Sequence, residues 1–96
     1  MTADQAIAHA ARCQLECDAA AVTFKAALAR LQRSKSERNR RAYAEASDAL
    51  ELAADRSRAA IDAIAIAQAA DRRVAIAAGR AAEAARQPSL FAEARA

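Results

Sequence analysis

The chain has one glycine, one proline, three aromatic residues and no tryptophan among 96 residues. Each shortage excludes something. With so few turn formers and so few β-branched or aromatic residues beside 34 alanines, strands joined by tight turns are excluded and long helices are expected. With so little bulk, most buried side chains remove only one methyl from water, worth about 0.8 kcal/mol per carbon. A small all-α chain of this kind has a thin core, and oligomerisation or docking on a larger partner is the expected remedy.

Charge and hydropathy narrow the classes further. Fifteen bases and twelve acids leave a net charge of +3 with both signs interspersed, unlike a protein that coats nucleic acid. No apolar run approaches the length of a membrane span, and Met1-Thr2-Ala3-Asp4 does not read as the basic start of a secretory signal. A cytoplasmic protein with no membrane contact is expected. The two cysteines, Cys13 and Cys17, then read as free thiols in a reducing compartment.

What is present organises into two helices. Thr2 and Gln5 have the spacing of a capping box, so a first helix is predicted over about 3–33. Its apolar stripe is Ala6, Ala10, Cys13, Cys17, Ala20, Phe24, Ala27 and Leu31, in alternating steps of four and three. The pattern lapses at Ser34, Lys35 and Ser36, the predicted turn. Ser34 and Glu37 suggest a second capping box and Glu37 with Arg41 an i,i+4 ion pair, so a second helix is predicted over about 37–86.

The second helix offers a seam of small residues at Ala42, Ala46, Ala49, Ala53, Arg56, Ala60, Ala63, Ala67, Ala70, Val74, Ala77, Ala81 and Ala84. Small side chains permit a close helix approach. Leu50, Ile61 and Ile64 flank this seam on one side, with Leu52, Ile66 and Ile76 on the other. The second helix is too long for the first to cover, which leaves about 66–86 without an intramolecular partner. The preferred architecture is a helical hairpin over 1–87 that dimerises into a four-helix bundle, followed by a tail over 88–96. The alternative is a three-helix bundle with a break near 55–58, where Asp55 and Ser57 could cap a restart.

Little here supports chemistry. His9, Cys13 and Cys17 recur every four residues, but successive turns put them about 6 Å apart, too far to converge on one zinc at about 2.0–2.3 Å. They read as stripe and margin residues, and no metal or other cofactor is expected. With one histidine and no phosphate-binding loop, the chain is expected to be a non-enzyme without a small-molecule substrate. The basic run around the turn, Arg30, Arg33, Lys35, Arg38, Arg40 and Arg41, could meet phosphates, but no aromatic residue interleaves with it before Tyr43. Direct nucleic-acid binding is a subordinate expectation.

One short stretch speaks of a partner. Gln87-Pro88-Ser89-Leu90-Phe91 follows the predicted helix end and matches Gln-Leu-Ser/Asp-Leu-Phe at four of five positions. It resembles the pentapeptide by which bacterial proteins dock on the DNA polymerase III sliding clamp. The resemblance implies that Gln87 makes polar contacts at one end of a groove, that Leu90 and Phe91 fill its hydrophobic pocket, and that Ser89 holds the variable position between them. Pro88 replaces the usual leucine and keeps the backbone extended. The chain is therefore expected to be a homodimeric interaction protein, an accessory factor or inhibitor of bacterial, phage or plasmid origin acting in DNA replication at the clamp. The competing expectation is a structural or regulatory adaptor that binds another protein's helices along its alanine face while the tail packs on the bundle.

Overall fold

A computed structural model describes residues 1–86, and over them the chain is an antiparallel hairpin of two helices, α1 (Ala3–Arg33) and α2 (Glu37–Arg86). The start of α1 is fixed by local chemistry. Thr2 Oγ1 accepts from the Gln5 amide at 3.2 Å, and Gln5 Oε1 accepts from the Thr2 amide at 2.9 Å, so two otherwise orphaned donors are satisfied reciprocally.

The turn is built without glycine. Ser34 ends α1 in an extended conformation, and no residue among those described adopts a positive φ. Asn39 holds the connection. Its side-chain amide donates to the carbonyl oxygens of Ser34 at 2.7 Å and Arg30 at 3.3 Å, while its backbone amide donates to Ser36 Oγ at 3.2 Å. The cap of α2 is thus Ser36 with Asn39, and not the expected pairing of Ser34 with Glu37. Ser34 is instead occupied as the end of α1, where its amide donates to the Arg30 carbonyl at 2.9 Å. The expected Glu37–Arg41 pair is present at 3.6 Å, with both side chains exposed and so of small energetic weight.

Packing follows the predicted stripe on α1. Ala6, Ala10, Cys13 and Ala27 are buried, and Cys17, Ala20, Phe24 and Leu31 are half-buried. On α2 the observed seam is Tyr43, Ala46, Leu50, Ala53, Ser57, Ala60, Ile64 and Ala67, each buried or half-buried. It shares Ala46, Ala53, Ala60 and Ala67 with the expected seam, whose Ala42 and Ala63 are also half-buried at its edge, and takes Tyr43, Leu50, Ser57 and Ile64 as its other members. Ala49, Arg56 and Ala70 are exposed, and Leu50 and Ile64 lie in the seam instead of on its flank.

The reason for this phase lies at one layer. The expected seam would bury the Arg56 guanidinium, whereas the observed one buries Ser57, whose hydroxyl donates to Gln14 Oε1 on α1 at 3.2 Å. Ala10, Cys13 and Ala60 form the core cluster beside it, with Ile64 packed on its edge. Phe24 and Tyr43 meet near the turn, ring centroids 5.3 Å apart.

Nothing breaks α2. Where a restart was conceivable, Asp55 pairs outward with Arg58 while Ser57 turns inward to Gln14, and the helix continues. The three-helix alternative is therefore not the structure. At about 1.5 Å per residue α1 reaches roughly 46 Å and α2 roughly 75 Å. Ala67 is the last buried residue of α2 and Ala69 the last half-buried one. Residues 70–86 are exposed throughout, so coverage extends slightly past the expected limit near 66.

Two outcomes test this packing by thermal or urea unfolding. Asn39→Ala removes both side-chain bonds across the turn and is expected to cost about 1 kcal/mol; unchanged stability would show that the connection does not depend on them. Ala60→Leu inserts bulk into the core cluster and is expected to destabilise by about 1–3 kcal/mol, whereas the same change at exposed Ala59 should be near neutral.

Candidate interaction surfaces

Three groups of residues could carry function. They are the basic turn, the histidine–cysteine row of α1, and the apolar surface left uncovered.

The turn places Arg33 in the last turn of α1, Lys35 in the connection, and Arg38, Arg40 and Arg41 in the first turns of α2, all exposed. They do not converge on one point. Arg38 and Arg41 line an open groove together with Glu37 and Glu45, so two guanidinium groups share their space with two carboxylates. Arg30 borders a neighbouring groove with Glu45, over Val22, Ala26 and Ala49. A phosphate approaching either groove would meet carboxylate charge as well as cationic charge. This arrangement suits a solvated tip better than a phosphate clasp.

The row on α1 is drawn partly into the core. Cys13 Sγ lies 3.6 Å from His9 Nε2, a geometry set by the i,i+4 spacing. Cys13 is buried against Ala10 and Ala60, while Cys17 is half-buried, and both thiols are free. Among the described residues no three His, Cys, Asp or Glu side chains gather in a way that could hold a metal ion. The pair is best understood as packing: a small apolar side chain with a polar neighbour at the seam's margin.

The uncovered apolar surface is more extensive. Ile66 is 71% exposed, Val74 69% and Ile76 54%, all at or beyond the point where α1 stops covering α2. Leu15 and Val22 stand exposed on α1. No helix among the described residues is long and apolar enough to cross a membrane.

Gln87, Ser89, Leu90 and Phe91, the residues of the pentapeptide, lie outside the described residues; α2 ends at Arg86, immediately before them. Two residues escaped the sequence reading, Asn39 and Gln14. Asn39 had a legible signal, since it stands three residues after Ser36, the spacing of a cap. Gln14 had none, because its partner Ser57 is 43 residues away in sequence.

Comparison of the chain with protein-family models, with curated proteins and with solved structures finds no match in any of the three.

Proposed function

We propose that this chain is a non-enzymatic interaction protein that docks on the bacterial DNA polymerase III sliding clamp through Gln87, Ser89, Leu90 and Phe91, as a homodimeric accessory factor or inhibitor. The observation that carries the reading is the pentapeptide itself, four positions of which match the clamp-docking pattern. Its placement supports it. α2 runs on past the end of α1, so the motif follows the tip of a projecting helix and not the packed part of the hairpin. An adjacent Leu and Phe are the kind of apolar anchor that a preformed groove accepts from an extended segment. Two such tails on a dimer would raise each other's effective concentration if their spacing matches two grooves on one ring.

A second reading is an adaptor that binds another protein's helices along its alanine-rich surface. It is favoured by the exposure of Ile66, Val74 and Ile76. DNA contact through Arg33, Lys35, Arg38, Arg40 and Arg41 is weaker, because two acids share the groove that Arg38 and Arg41 line.

Titration of purified clamp with the intact protein and with the Leu90→Ala, Phe91→Ala double variant tests the first reading. The double variant is expected to lose at least about tenfold in affinity, or 1.4 kcal/mol; equal binding by both would remove it. Deleting 88–96 should abolish clamp binding while leaving the melting temperature and solution mass unchanged. The adaptor reading expects those two quantities to move. For the basic turn, retention on duplex DNA should be absent even at low salt, and a steep salt dependence of any retention would instead support phosphate contact.

A further inference from the structure

The seam that joins the two helices does not stop where α1 stops. On α2 it advances in alternating fours and threes from Tyr43 to Ala67, and the same register continues through Asp71, Val74, Ala78, Ala81 and Ala85. Flanking alanines widen it: Ala70, Ala77 and Ala84 on one side, Ala75 and Ala82 on the other. Half the circumference of this projecting segment is therefore apolar, with Asp71 its single charge. Arg72, Arg73, Arg80, Glu83 and Arg86 occupy the other half, beside Ile76.

From this continuity we infer that the projecting segment of α2, residues 70–86, is a self-association surface, and that its occupant is the same segment of a second copy running antiparallel. The partner's α2 then prolongs the line of α1 along the seam. The inference rests on the homodimer of the preceding section and on nothing about the tail.

Three observations select this occupant. The first is register: the uncovered seam is the established helix–helix interface carried onward with the same small side chains, so it fits an antiparallel helix of the kind that already covers its other half. The second is symmetry of length, since residues 70–86 have their midpoint at Ala78, a seam position, and a twofold axis near it lets each copy cover the other fully. The third is charge. A parallel pair would set Arg72 and Arg73 level with their own copies and Glu83 level with Glu83, whereas an antiparallel pair about Ala78 brings Glu83 of each copy level with Arg73 in the other. Asp71 lies just beyond Ala67, where α1 begins behind its Thr2 cap, so the one carboxylate in the seam sits at the junction between the covering helices.

The shared segment is roughly 25 Å long and lined largely by single methyl groups, which makes the dimer weak and concentration-dependent. Sedimentation of the full chain across the micromolar to sub-millimolar range should show a monomer–dimer equilibrium. Ala78→Glu brings two carboxylates together at the axis and should raise the dimer Kd by about two orders of magnitude, with helicity by circular dichroism unchanged because Ala78 is exposed on the described hairpin. Ala59→Glu, an exposed change beside the hairpin, should leave dimerisation intact.

In a Cys13→Ala, Cys17→Ala background, a short thiol crosslinker should join chains carrying Ala78→Cys. Chains carrying only Ala85→Cys should not be joined, but mixing them with Asp71→Cys chains should restore the crosslink. Equal self-crosslinking at 78 and 85 would overturn the antiparallel arrangement. A dimer indifferent to Ala78→Glu would overturn this surface while leaving the homodimer standing. A monomer at every concentration would overturn both, and a shift in its melting temperature on deleting 88–96 would assign the face to the chain's own tail.

Discussion

Close approach of two helices through small side chains is the constraint on which this molecule depends. No large side chain among the described residues is fully buried, and the core consists of alanines with Cys13 and Ser57. Such a seam yields little hydrophobic free energy per residue, since each alanine removes one methyl from water. It compensates in two ways. Alanine has the highest helix propensity, so the rods are favoured before they meet, and the absence of bulky side chains allows dispersion contacts along the whole line of approach.

A seam of this type tolerates almost no charge. That explains why one polar layer governs the phase of α2. Ser57 occupies nearly the volume of alanine, and its hydroxyl finds Gln14 across the interface. Arg56, one residue earlier, stays in solvent. Leu50 and Ile64 enter the seam half-buried, while alanines recur every seventh residue between them at 46, 53, 60 and 67. The two aromatic rings that meet, Phe24 and Tyr43, do so in the half of the hairpin nearer the turn.

Unequal length is the second consequence of two uninterrupted rods. Because neither glycine nor proline interrupts α2 before Gly79, the helix outruns its partner and carries an apolar half-surface into solvent. Gly79 itself does not bend it: the helix continues to Arg86, and an added methyl at that position would meet nothing among the described residues. Both proposals bear on this excess length. One concerns what comes after the rod's end, and the other concerns the side of the rod left bare.

Much of this was legible in the residues. The capping box at Thr2 and Gln5, the stripe of α1, both helix spans and the excess of α2 depend on neighbours within one or two turns, and local chemistry suffices to predict them. The phase of the second seam was ambiguous because alanine fills both candidate registers, although Arg56 in one of them was a clue that burial would be costly. Asn39 as the clasp of the turn and Gln14 as the partner of Ser57 could be assigned only once the chain had folded back. Each satisfies groups on the other helix or across the turn, and a hydrogen bond between such distant positions leaves no periodic trace. Sequence by itself therefore determined that two long helices form and where they end. Tertiary structure decided which face of α2 turns inward, because that choice depends on one buried hydroxyl being satisfied and one guanidinium being kept in water.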